Sequence, residues 1–135
     1  MLLTYLLVLA AARFSISVDE TPPTVHSNTA IIINVHNDTS KAAQYTIRVA
    51  VKMGTNKYVD ATEDALQRRR DSRRVTRVIY PHDGLTFVWV PGVFKENCPL
   101  KDGTRFKFRL YEYFEPTKTD KVVLRGETRA LQYRK

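Results

Sequence analysis

Apolar and polar residues alternate along Tyr45-Thr-Ile-Arg-Val-Ala-Val-Lys52. A period of two places successive side chains on opposite faces of an extended strand, so this stretch has one buried and one wetted face. The preceding segment, Thr29-Ala-Ile-Ile-Ile-Asn-Val-His36, reads as a second strand. Asn37-Asp-Thr-Ser40 supplies the turn residues between the two. Ile31, Ile33 and Val35 are expected inward, as are Tyr45, Ile47, Val49 and Val51. Thr46, Arg48 and Lys52 are expected in water.

The same grammar repeats. Phe14-Ser-Ile-Ser-Val18 alternates and is stopped by Thr21-Pro-Pro-Thr24, because proline cannot donate to a ladder. Arg74 to Tyr80 regains strand character before Pro81-His-Asp-Gly84, whose Asp-Gly pair favours a tight turn. Leu85-Thr-Phe-Val-Trp-Val90 reads as a buried strand with Trp89 at the centre of the fold, and Pro91-Gly92 ends it. After the Lys101–Thr104 turn, Phe106, Phe108 and Leu110 are expected inward and Arg105, Lys107 and Arg109 outward. Residues 121–133 form the last strand, with Gly126 at a bulge. Residues 53–72 break the pattern. Gly54-Thr-Asn-Lys57 is a turn, and the Asp60-to-Arg70 stretch is a loop with some helical character, its acids preceding its arginines.

Seven or eight short strands without a 3.6-residue period define an all-β chain and match an immunoglobulin-like β-sandwich of mostly antiparallel strands. At 135 residues the chain fits one domain, 13–135, large enough to bury a core without metal or disulfide staples. Its one cysteine, Cys98, excludes an intrachain disulfide and a cysteine-rich metal site. Residues 1–12 are almost wholly apolar but too few to span a bilayer. With Ala10-x-Ala12 they resemble a signal peptide, which implies secretion; the alternatives are an extra strand or a truncated gene product, and then a cytoplasmic location.

A formal charge of +8 favours acidic partners. The excess concentrates in Arg68, Arg69, Arg70, Arg73, Arg74 and Arg77, and on the outward parity of Arg105, Lys107 and Arg109. Together these form the candidate binding patch for an acidic protein. Nucleic-acid binding is disfavoured, because Phe106 and Phe108 lie on the parity opposite the cations, where no base can stack on them. His26, His36 and His82 show no metal-ligand spacing, and Asp60, Glu63 and Asp64 lack a calcium-loop pattern, so all six read as surface residues and neither a metal nor another cofactor is expected. Cys98 has no adjacent base in the sequence and reads as a packed thiol rather than a nucleophile. Asn37-Asp-Thr39 is an N-glycosylation sequon; in an unglycosylated chain the same residues stabilise the turn through side-chain to backbone hydrogen bonds.

The order of these features also resembles a known family. It comprises Asn37-Asp-Thr39 after a strand, an alternating strand from Tyr45 into Asn56-Lys-Tyr58, and a long excursion. There follow the Pro81–Gly84 turn, Phe87 to Val90, Val93-Phe-Lys-Glu-Asn-Cys-Pro-Leu100, and Phe106-Lys-Phe-Arg-Leu-Tyr111 leading to Glu115-Pro116. Over residues 13–132 the chain is similar to the first C-terminal β-barrel domain of animal transglutaminases. That resemblance implies an immunoglobulin-like accessory domain that packs on a catalytic core, without the Cys-His-Asp triad of the core itself. The expected function is therefore non-catalytic, through protein contacts with an acidic protein or a transglutaminase-type core. The alternatives are a fragment of a protein-glutamine γ-glutamyltransferase whose core is missing, and an unrelated secreted immunoglobulin-like binding module.

Overall fold

The computed structural model describes residues 13–67, 77–95, 98, 100–114 and 121–135. Their regular secondary structure is almost entirely β. The strands are β1 (Phe14–Ser17), β2 (Thr24–Val25), β3 (Ile31–Asn37), β4 (Ala43–Met53), β5 (Lys57–Asp60), β6 (Arg77–Ile79), β7 (Asp83–Trp89), β8 (Arg105–Tyr113), β9 (Val122–Glu127) and β10 (Leu131–Tyr133). A single turn of helix, α1 (Pro91–Phe94), follows β7. It begins on proline, whose fixed φ and missing N–H suit a first helical position. No helix among the described residues is long and apolar enough to cross a membrane.

Two sheets enclose one core. The smaller has the order β1-β3-β7, antiparallel throughout, with Ile31 opposite Trp89 and Ile33 opposite Phe87. The larger is built on β4 and β8, which pair from Tyr45–Glu112 to Val51–Phe106. Each of these long strands shares its outer edge between two short ones. β4 pairs with β6 near its start and β5 near its end; β8 pairs with β10 near its start and β9 near its end. β2 joins the far side of β10 in parallel.

The alternation of β3 holds residue by residue, with Ile31, Ile33 and Val35 fully buried. They face Ile47, Val49, Phe106, Phe108 and Leu110 of the larger sheet in the same apolar cluster. Trp89 is the hub: its ring stacks on Phe94 at 5.5 Å and meets Phe108 edge-on at 5.3 Å. Each such buried side chain contributes about 1.5–3 kcal/mol from burial alone, so these rings and aliphatics hold the fold together.

Several details depart from the sequence reading. Thr46 points away from the core yet is buried, because residues 61–67 run along the open edge of β4; Ala50 is buried too, between Asp60 of β5 and Lys107 of β8. Ala61 and Ala65 donate to the carbonyls of Val49 and Ile47, and Thr46 Oγ1 donates to the Glu63 carbonyl at 3.0 Å. The excursion therefore continues the sheet edge, and residues 61–67 are not helical. β7 is an edge strand rather than a buried one, with Thr86 and Val88 exposed. The last strand is two, β9 and β10. The bulge expected at Gly126 is there in β9: Leu110 pairs with Gly126 but Tyr111 with Leu124, so Arg125 is the extra residue. In the 81–84 turn the left-handed residue is His82, with φ of 60°. Gly84 lies close under His36: a Cβ there would sit 2.8 Å from the His36 ring, and that exposed side chain would have to shift.

A candidate protein-contact surface

Alternation on β4 and β8 puts Arg48, Arg109, Lys107 and Tyr111 on the outer face of the larger sheet. Register then sets Arg48 directly opposite Arg109. Like charges in that position repel. Asp60 at the end of β5 relieves the repulsion: its carboxylate lies 3.7 Å from Arg48 and accepts a hydrogen bond from Arg109 at 3.1 Å. It also accepts the Tyr111 hydroxyl at 2.6 Å. Glu127 on β9 takes the other side, accepting from Arg109 at 2.9 Å and Lys107 at 3.0 Å. Aromatic rings complete the mosaic. The Arg48 guanidinium sits 4.7 Å from the centre of the Tyr111 ring, and the Lys107 ammonium 4.3 Å from that of Tyr58.

The electrostatics follow from this geometry. Partial burial works against charge on Arg109, but its hydrogen bonds to Asp60, Glu127 and Tyr111 outweigh it and raise its pKa. Burial pushes Glu127 upward, yet hydrogen bonds from Lys107 and Arg109 hold its carboxyl below the usual value. Burial and then the Asp60 carboxylate raise the Tyr111 phenol. Half-exposed pairs of this kind each contribute about 0–1 kcal/mol, so the network matters less for stability than for fixing long side chains in place.

The proposed patch residues have separate fates. Arg68, Arg69, Arg70, Arg73 and Arg74 lie outside the described residues. Arg77, on β6, sits 3.4 Å from Asp64. Its Nε is buried without hydrogen-bond geometry, so the contact is ionic attraction alone. Lys107 and Arg109 are neutralised within the sheet, whereas Arg105 is exposed and makes no ion pair among the described residues. The outer face is thus a mixed-charge tyrosine and arginine surface rather than a purely cationic one. Exposed Leu124 and Val78 adjoin it on β9 and β6. Sequence reasoning left Arg48, Tyr58, Asp60, Tyr111 and Glu127 out of the binding patch. Tyr111 continues the outward parity of residues 105, 107 and 109, which was a readable signal; Asp60 and Glu127 come from strands whose pairing no local pattern reveals.

The remaining candidates have structural partners. Asn37 is fully buried. Its Nδ2 donates to the carbonyls of Lys41 at 2.8 Å and Ile79 at 3.2 Å, using both hydrogens. Its Oδ1 accepts from Thr39 N and Thr39 Oγ1, which makes the turn-stabilising role concrete. The nitrogen a glycan would occupy is committed to the backbone. Cys98 is buried, and burial pushes its thiol up to about 11. Asp64 accepts from Leu66 N at 2.9 Å besides facing Arg77. His26 pairs through Nδ1 with the Arg134 carbonyl at 2.8 Å, while His36 covers Gly84. Among the described residues no three histidine, cysteine or acidic side chains converge on a common point.

No family model matches the chain, and no curated protein matches it either.

Proposed function

We propose that the chain is an immunoglobulin-like β-sandwich that acts without catalysis, through protein contacts made by the outer face of its larger sheet. The reading includes a transglutaminase-type catalytic core, or another acidic protein surface, as the partner. What supports it most is the tyrosine and arginine mosaic around Asp60. Tyrosine and arginine dominate binding hot spots. Here their side chains are ordered before any partner arrives, which lowers the entropic cost of association. A surrounding rim of Arg105, Lys52 and exposed Leu124 adds charge and apolar area.

Two measurements test it. The first is titration calorimetry of the chain with an isolated transglutaminase catalytic core lacking its own barrel domains. Saturable binding that Arg105→Glu with Tyr111→Ala weakens by about tenfold or more, about 1.4 kcal/mol, supports the reading. Absence of binding up to about 100 µM removes the core as a partner. The second is amine incorporation into a glutaminyl peptide by the purified chain with calcium present. Turnover by the chain alone would overturn the non-catalytic reading.

A further inference from the structure

A cleft opens between the start of β1, the β3–β4 turn and residues of β8 and β9. It has a volume of about 460 Å³, within the range of small-molecule sites. Arg13, Phe14, Lys41, Glu112 and Arg125 line it, together with Asn37 and the turn that follows it. The turn is braced because Thr39 Oγ1 donates to Asn37 Oδ1 at 2.6 Å and Asn37 Nδ2 donates to the Lys41 carbonyl at 2.8 Å. The bulge in β9 delivers Arg125, whose Nε donates to Glu112 at 2.8 Å.

The charge in this cleft does not cancel. Among the described residues that line it, three cations meet one carboxylate. Glu112 is held by Arg125, while Arg13 and Lys41 make no ion pair among the described residues. Asp38 belongs to the same turn but does not line the cleft. Phe14 and Ala43 form an apolar wall. A guanidinium has five donors in a planar fork, so Arg125 can keep Glu112 and still receive an incoming oxygen. Concentrated like charge beside an apolar surface, within low-dielectric walls, favours an anion with a hydrocarbon body.

We propose that this cleft binds a small organic oxyanion, a carboxylate or phosphate monoester carried on a short apolar group. Arg13 and Lys41 supply the uncompensated charge, Arg125 a hydrogen-bonding fork, and Phe14 and Ala43 the apolar contact. The site is independent of the contact surface proposed above.

Amide NMR titrations of the full chain test it, using phenyl phosphate, phenylacetate, inorganic phosphate and neutral benzyl alcohol as probes. The expected result is saturable shifts confined to residues 13–14, 37–43, 112 and 125, with phenyl phosphate or phenylacetate binding more tightly than inorganic phosphate and benzyl alcohol. Whichever of the first two binds more tightly assigns the headgroup. Arg13→Gln with Lys41→Gln changes two exposed side chains and should leave the fold intact while weakening binding by about tenfold or more. Non-saturable shifts, shifts centred elsewhere, equal binding of benzyl alcohol, or unchanged affinity in the double variant would each overturn the proposal.

Discussion

The indole Nε1 of Trp89 donates to the Ala65 carbonyl at 3.0 Å, in a site from which water is excluded. This bond ties the smaller sheet to the excursion that lines the open edge of β4. Trp89→Phe removes the donor, strands the Ala65 carbonyl and leaves a void beside Phe94. A buried acceptor without a partner costs about 1–3 kcal/mol before the void is counted. The variant should therefore lose at least that much stability in urea unfolding, with an unchanged m-value. A loss below about 0.5 kcal/mol would show that the bond is replaced by water.

Asn37 fastens the β3–β4 turn from the inside. Asn37→Ala leaves the Lys41 and Ile79 carbonyls short of a donor and opens the turn, at an expected cost of about 2–4 kcal/mol. The same geometry predicts that folded protein recovered from glycosylating cells carries no glycan on Asn37. Intact mass before and after endoglycosidase treatment measures this; a shift of one glycan unit would contradict it.

Tyr45 couples stability to alkaline pH. Burial, opposed by Arg77 and reinforced by Asp64, pushes its phenol up to about 12. Its folded pKa lies above the unfolded value near 10, so the neutral phenol is favoured in the fold. That stabilisation is complete below about pH 10 and fades as pH rises towards 12, amounting to about 2–3 kcal/mol at most. Tyr45→Phe has no proton to lose. Its unfolding midpoint should fall less steeply across this window than that of the parent; parallel curves would place the effect elsewhere.

Cys98 should be chemically silent. With its thiol near 11 and its side chain buried, almost none is thiolate at neutral pH. An aromatic disulfide reagent should label it only after denaturant is added. Labelling of native protein as fast as unfolded protein would show that the site opens readily.

Glu127 gives the opposite pH dependence. Its carboxyl is held low by Lys107 and Arg109. Its contribution is present above the unfolded pKa, near 4.3, and is lost as pH falls through the lower folded value. Because the pair is partly solvent-exposed, Glu127→Gln should change the acid limb of the stability curve only slightly, and less at high salt. A large, salt-insensitive change would mean the network is structural.

Local periodicity revealed what each strand buries, and little of what lies beside it. Ile31, Ile33, Val35, Phe106, Phe108 and Leu110 were readable because one face of each strand meets one core. Thr46 was not, since the residues that meet it come from a separate stretch of chain, 61–67, with no apolar period. β7 looked buried because Phe87, Val88 and Trp89 are all apolar, and nothing local marks a strand as the last in its sheet. The same limit hid the contact surface. Arg105, Lys107 and Arg109 were visible as a basic row, whereas their neutralisation depends on Asp60 and Glu127, which pairing brings from 49 and 18 residues away from Arg109.

The divided edges of β4 and β8 set where this chain tolerates a change of length. Adding one residue between Ile47 and Arg48 would rotate the downstream half of β4 and turn Val49 outward, out of step with β5 and β8 at once. The bend at 54–56, held by Gly54 in its left-handed conformation, has open space around it and touches no second strand pair. A peptide tag or reporter therefore belongs at that tip, and never six residues upstream of it.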